Sequence, residues 1–325
     1  KTGEDAVTIH KMIYSYRPDA VDEEDSGIYS IKFSLRKFQG KKNTVFIIDE
    51  SSMISDDESS GGVYKFGSGK LLFDLLEFTG VHNSRLSTKI IFAGDEAQLP
   101  PVGSDFSCAL SPEFFKINYG INVEEFELTE NFRQSVTGTI MENSLKIREV
   151  ISDDIKFDKL VKADDFIETD EASLKEIFDG IDLNHPDFPL IITYKNANVT
   201  LFNELVRETI LNFNEPICSG DKVIICSNYY GEEKEIYNGE TGIIRELSDE
   251  SISRTVRFKV KNKETAETIK ICFRKAFIDF SFIKGEFYFL EDFIYSNYSD
   301  ISQLMKTALY VDFANRHKKI GRAHV

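Results

Sequence analysis

The sequence predicts an α/β protein with two parallel-sheet domains and a small all-β module. Three observations carry that prediction. Two continuous apolar runs, VFIID (45–49) and KIIFAGD (89–95), each end in acid, the pattern of strands buried on both faces of a parallel sheet. A fresh strand–helix unit opens at PLIITYKN (189–196) and continues as ANVTLFNELVRETIL (197–211). Beyond residue 217 the pattern changes to short alternating strands and tight turns.

Size and composition agree with two domains. The chain has 325 residues, and domains run to roughly 100–200 residues each. Hydrophobic residues make up 41% and charged residues 29%, an ordinary globular balance, and 27 Phe and 13 Tyr supply cores without any Trp. No apolar stretch approaches the roughly 20 residues that cross a bilayer. The opening KTGEDAVTIH lacks the apolar stretch of a signal peptide, so a cytoplasmic protein with no membrane partner is expected. Cys108, Cys218, Cys226 and Cys272 show no CxxC spacing and no neighbouring His, which favours reduced thiols over zinc ligands or disulfides. The net charge of −16 argues against broad adhesion to nucleic acid but leaves a local basic groove open.

Along the chain, AVTIHKMIYSY (6–16) mixes a strand pattern with a helix start, and the acidic 18–28 stretch reads as a loop. YSIKFSLRKF (29–38) alternates as a half-buried strand. Residues 55–62 read as a polar loop and KLLFDLLEF (70–78) as a helix. Ser111 and Pro112 sit as cap and first residue of a short helix. VEEFELTENFRQ (123–134) reads as a strand and loop, followed by a helix over 135–151, and another helix is expected near 173–181. The strand signals at 220–228, 254–260 and 268–273, with an Asn-Gly hairpin signal at 238–239, define the β module.

The chemistry begins with Asp49 and Glu50. A buried strand ending in two acids places carboxylates at the carboxyl edge of a sheet, where open α/β folds bind ligands. Asp is suited to hold Mg²⁺, and a Glu beside it can orient or deprotonate a water. The plainer alternative is a strand end that simply turns polar at the surface. The second strand leads into Gly94, Asp95, Glu96, Ala97 and Gln98 and then a Pro-Pro pair. Gln98 can bond a γ-phosphate oxygen or the attacking water, and the prolines stiffen the backbone just beyond it. The third element is LTENFRQ (128–134), where Arg133 can meet phosphate with a planar guanidinium.

Taken together, VFIIDESSMIS, IIFAGDEAQLPPVGS and LTENFRQ resemble motifs II, III and IV of superfamily 1 DNA helicases. The resemblance is to the RecD/Dda-like branch, which includes the exodeoxyribonuclease V alpha-subunit type. TIHKMIY (8–14) is similar to the end of that family's motif Ia, and IITYKNANVTLFNELVR (191–207) to the entry of its second motor domain. GDKVIICSNYYGEEKEIYNGETGII (220–244) is similar to its SH3-like insert.

The resemblance implies two partial RecA-like P-loop NTPase domains: residues 1–186, with a β insert near 17–44, and residues 187–325, with an SH3-like β-barrel near 215–280. It implies an ATP-dependent motor that moves 5′ to 3′ on single-stranded or forked DNA, alongside recombination or repair proteins. ATP and Mg²⁺ are the implied cofactors. Asp49 and Glu50 would hold Mg²⁺ through water and activate the nucleophile. Gly94, Asp95, Gln98 and Arg133 would face the nucleotide. Thr8 and His10 would approach DNA from the first domain and Thr193 and Asn196 from the second. His10 reads equally well as a packed histidine beside a helix start.

The pattern G-x-x-x-x-G-K-[ST] that cradles phosphates is missing from the sequence. The nearest run, FGSGK (66–70), has Tyr64 in place of the first Gly and Leu71 after the Lys, and reads as a loop entering a helix. The family's motifs V and VI are missing too. The expectation is a helicase fragment that does not turn over ATP efficiently alone. The alternative is a non-catalytic nucleic-acid or protein-binding module with a degenerate helicase fold. A nuclease would need its own acid cluster, and the sequence offers none outside the ATP motifs. Basic tracks for DNA are 36–42 and 316–322, while Phe33 and Phe38 read as core.

Overall fold

Ile13, Phe46, Ile48, Leu72, Leu75, Leu76 and Phe115 converge on one core in the first half of the chain. A second pair of cores forms around the strands of the last third. The structure is a computed structural model. It describes residues 6–15, 20–23, 29–40, 43–59, 64–82, 87–130, 138–153, 159–170, 173–178, 189–213, 215–226, 229–230, 235–259, 265–280, 282–294 and 301–316. Two compact units meet in sequence between Glu168 and Thr169.

The first unit opens with α1 (Ile9–Ile13), capped by Thr8, whose hydroxyl accepts the Lys11 N–H at 3.3 Å. Strands β1 (Ala20–Glu23), β2 (Tyr29–Phe33), β3 (Val45–Ile48) and β4 (Tyr64–Phe66) come next, then α2 (Leu71–Thr79) and β5 (Lys89–Phe92). β1 pairs antiparallel with β2, and β4 pairs parallel with β2. β1 falls in the stretch expected to be a loop. It pairs through its backbone with β2, and backbone pairing requires no apolar pattern in the strand.

β3 and β5 form the parallel pair that the apolar runs predict, in register from Val45↔Lys89 to Ile48↔Phe92. α2 links them. Phe46 and Ile48 point onto α2, where each fully buried leucine adds about 2 kcal/mol of transfer free energy. The other face carries Val45, Ile47 and Ile91, which are 51%, 71% and 51% exposed. The two-sided burial expected from the apolar runs is therefore one-sided among the described residues. An apolar strand reads the same in sequence whether one layer or two layers cover it.

α3 (Pro112–Tyr119) matches its sequence signals: the Ser111 hydroxyl accepts the Phe114 N–H at 3.2 Å, and Gly120 ends the helix at φ 65°. α4 (Thr139–Asp153) is fastened through Asn143, whose side-chain amide exchanges two hydrogen bonds with the Val161 backbone, at 2.8 and 2.9 Å. The strand expected from residue 123 is not formed. Residues 121–130 run without strand partners, and Phe126 and Leu128 are 83% and 97% exposed. An alternating pattern becomes a strand only where a sheet edge takes up its N–H and C=O groups.

The second unit contains α5 (Leu174–Phe178) and α6 (Asn196–Leu205), which runs on into a wide π-helical turn at Val206–Ile210. The strand expected at 189–196 is absent. Residues 189–193 have no strand partners, and Leu190, Ile192 and Tyr194 are 84%, 86% and 98% exposed. Arg207 ties the π turn to the next segment through two bonds to Asp221, at 2.8 and 2.9 Å. Then come β6 (Lys222–Ile224), the short antiparallel pair β7 (Tyr229–Tyr230) and β8 (Glu235–Ile236), β9 (Thr241–Phe258), β10 (Glu267–Phe280) and β11 (Ile283–Leu290). Gly239, in the Asn-Gly turn, takes φ 89° and leads into β9.

The main sheet of this unit has the order β11-β10-β9-β6 and is antiparallel throughout. It curls as an open half-barrel. A side chain at Gly242 would meet Phe280 and Ile278 at 2.7–2.8 Å, so the curl needs glycine there. Bulges between Arg274 and Ala276 and between Phe277 and Ile278 interrupt the β9–β10 ladder. On one side of the first bulge lies the core of Ile236, Ile244, Ile278 and Phe280. On the other side, Val256, Phe258 and Ile271 pack with Ala308 of the last helix, after α7 (Glu291–Ile294), which is α8 (Gln303–Arg316). The fold is thus mixed α/β with parallel and antiparallel sheets. No helix among the described residues is long and apolar enough to cross a membrane.

Candidate functional site

The register of β3 on β5 decides where the acids lie. Ile48 pairs with Phe92, so Asp49 and Glu50 leave β3 level with the point where Ala93 and Gly94 leave β5. Three contacts fasten the two exits together. The Ala93 N–H donates to the Ile48 carbonyl at 2.8 Å, and the Ser51 N–H donates to the Ala93 carbonyl at 2.9 Å. A Cβ on Gly94 would stand 3.1 Å from the Ser52 nitrogen and 3.0 Å from Leu110, so glycine lets the second exit close onto the first. The side chain of Ser51 adds a 2.8 Å bond to the Ile48 carbonyl.

Asp49 and Glu50 are both exposed. Asp49 accepts the Glu50 N–H at 3.0 Å. Glu50 has φ 53° and ψ 44°, the left-handed region that a residue with a Cβ enters only at a cost of about 1–2 kcal/mol. Backbone strain of this kind gathers at functional positions. Glu50 thus combines a strained backbone with an exposed side chain at the carboxyl edge of the parallel pair.

Beyond β5 the chain makes a tight turn. Asp95 builds it: its carbonyl accepts the Gln98 N–H at 3.0 Å and its carboxylate accepts the Ala97 N–H at 3.0 Å. The carboxylate also receives a two-pronged bond from Arg148 of α4, one arm at 2.7 Å. That guanidinium, helped by the Ala97 N–H, holds the Asp95 carboxyl below the usual carboxylate range despite partial desolvation. Gln98 is exposed at the end of the turn. A groove of about 420 Å³ separates the turn from α4, lined by Asp95, Gln98, Asn143, Arg148, Leu160 and Phe166. Asp49, Glu50, Gly94, Asp95 and Gln98 thus share one edge of the first unit. Arg133 lies outside the described residues.

The FGSGK turn between β4 and α2 is built differently. The Gly67 N–H bonds Phe33 O at 2.9 Å, Ser68 N–H bonds the Asp74 carboxylate at 3.0 Å, Gly69 N–H bonds Phe66 O at 2.8 Å, and Lys70 N–H bonds the Ser68 hydroxyl at 3.1 Å. The first turn of α2 is closed as well, by Ser55 O on the Leu72 N–H and by Asp56 on the Phe73 N–H. Asp74, buried, also accepts the Tyr14 hydroxyl at 2.7 Å. Burial and that bond push the Tyr14 phenol pKa up. The amides from Gly67 to Lys70 are all committed and cannot cradle a phosphate.

The DNA candidates sit apart from one another in sequence and unit. The Thr8 hydroxyl caps α1. The His10 ring packs edge-on against Phe66 at 5.0 Å and tilted against Tyr14 at 5.4 Å; the residue is exposed, but desolvation on the packed side of the ring lowers its pKa. The Thr193 hydroxyl donates to Lys195 O at 3.0 Å, and Asn196 is the first residue of α6. Of the basic tracks, Arg316 is paired with Asp312 at 2.7 Å, and 41–42 and 317–322 lie outside the described residues. Phe33 stacks on Phe66 at 5.0 Å, and Phe38 meets Phe46 at 5.1 Å, both as core packing. Sequence reading missed Arg148 and Asn143. Their only sequence signal is a helical segment after LTENFRQ, and neither partner, Asp95 nor Val161, is near in sequence.

No family model matches the chain. An uncharacterized protein of Acanthamoeba polyphaga mimivirus is 22% identical to it over 215 residues. That match takes in 63% of this chain and 39% of the viral protein, so the chain spans about two-fifths of that relative's length.

Proposed function

We propose that this chain carries the acid and sensing half of the ATP site of a DNA helicase or translocase of the RecD/Dda-like kind. The observation that supports it best is the β3–β5 register, which sets Asp49–Glu50 and Gly94–Gln98 on one exposed edge with Glu50 in a strained conformation. In this reading Glu50 orients and deprotonates the attacking water. Gln98 reports on the γ-phosphate, and Arg133 stabilises charge on the transferred group. Two exposed carboxylates side by side suit Mg²⁺ held through water, with Asp49 and Glu50 as its holders. The metal would supply charge neutralisation to the phosphates.

The proposal leaves the phosphate cradle outside residues 67–70, whose amides are committed. That same fact favours a second reading, a non-catalytic module that keeps the motor fold. DNA contact is proposed for Thr8, His10, Thr193 and Asn196, and travel from 5′ to 3′ comes with the resemblance.

DNA-stimulated ATP hydrolysis by the full-length gene product separates the readings. Glu50→Gln is expected to cut turnover by about 100-fold or more while a fluorescent ATP analogue still binds. Unchanged turnover removes the role from Glu50, and failure of the wild-type protein to bind ATP favours the non-catalytic module.

A further inference from the structure

The Asp95–Arg148 contact joins two segments that are far apart in sequence and does so at the sensing turn. Asp95 uses one carboxylate oxygen twice: it accepts the Ala97 N–H and one arm of Arg148. Its second oxygen takes the other arm. A two-pronged guanidinium–carboxylate contact fixes an angle as well as a distance, which a single ammonium contact does not. The turn that Asp95 organises ends at Gln98 through the 3.0 Å bond of the Gln98 N–H to the Asp95 carbonyl. Arg148 is in turn carried by α4, and α4 is held against 159–162 by the paired bonds between Asn143 and Val161. A groove of about 420 Å³ lies between the turn and α4, and the Asp95–Arg148 contact crosses it.

We infer that Arg148 is a positioning residue: it latches the Asp95–Gln98 turn to α4 and so sets where the Gln98 side chain stands. The inference rests on the ATP-site reading above. Arg148 touches neither nucleotide nor water in this scheme, and its effect passes through Gln98. α4 is also the first described helix after the LTENFRQ segment in sequence. A displacement of about 1 Å at a reacting group costs up to about 100-fold in rate, and a partial release of the turn is expected to cost less.

A double-mutant cycle on the full-length gene product tests this, with ATP turnover read as separate kcat and KM. Arg148→Met is expected to lower kcat about tenfold with KM changed less than about threefold. In a Gln98→Ala background the same substitution is expected to lower kcat less than about twofold, because nothing is left to position. Arg148→Lys keeps the charge without the fork and is expected to recover only part of kcat. Should the Met variant fold poorly, judged by its melting curve, the Lys variant carries the cycle. Equal losses in both backgrounds, or no loss in either, overturn the latch alone. Turnover that survives both Glu50→Gln and Gln98→Ala overturns the ATP-site reading and the latch with it.

Discussion

Two turns of the first unit, 67–70 and 94–98, both come after a strand and both carry the glycine and polar residues of a phosphate site. They commit those groups in opposite ways. In the first, every amide is bonded inside the unit, and Asp74 beneath it is 2% exposed. In the second, Asp95 bonds the Ala97 and Gln98 N–H groups, and Gln98 remains open to solvent, as do Asp49 and Glu50. A glycine-rich turn that satisfies itself is architecture, whereas polar groups left exposed at a sheet edge can still meet a ligand. The pattern of residue types cannot tell these apart. The hydrogen bonds can.

The largest expected effect lies at the closed turn. Asp74→Ala leaves the buried Tyr14 hydroxyl and the Ser68 N–H without their acceptor. The loss of stability is expected to be about 3 kcal/mol, read from urea unfolding, since each unsatisfied buried group costs about 1–3 kcal/mol. A loss below about 1 kcal/mol would mean that the turn is not closed by Asp74. At the open edge the expectation has the opposite sign. Glu50→Gly relieves the left-handed strain and is expected to raise stability by up to about 1 kcal/mol while abolishing turnover. A destabilised, active Glu50→Gly protein would erase the distinction between the two turns.

The smallest effect concerns His10, which packs against Phe66 of the closed region. His10 is exposed as a residue, but desolvation of its ring against Phe66 and Tyr14 lowers its folded pKa beneath the ordinary 6.5, so the unfolded chain takes up the proton first as pH falls. Its contribution is therefore complete above 6.5 and is lost as pH drops from there through the lowered folded value. Between about pH 7 and about pH 5, melting temperature should fall less steeply in His10→Gln than in the wild type. Identical slopes would place the imidazole in water.

Local signals carried much of this structure. The cap at Ser111, the start and end of α2 and the parallel pairing of 45–48 with 89–92 were all legible in the sequence, because each depends on neighbours within a turn or on a continuous apolar run; the Asn-Gly pair makes a turn, but β8 and β9 on either side of it pair with other strands. The strands expected at 123 and 189 were not formed, although their apolar patterns are as good as that of β3. β1 formed where no pattern announced it. The difference is whether another strand is present to accept the backbone.

The same division runs through the candidate site. By itself the sequence determined which side chains end the two apolar strands: Asp49 and Glu50 on one, and Gly94 to Gln98 on the other. Only the tertiary structure decided that Glu50 is held left-handed, that the FGSGK amides are used up, and that Arg148, 53 residues away, grips Asp95. Strand-end chemistry is written in local order. Hydrogen-bond partners at long range exist only once the chain has brought them together, and no local pattern of residue types encodes them.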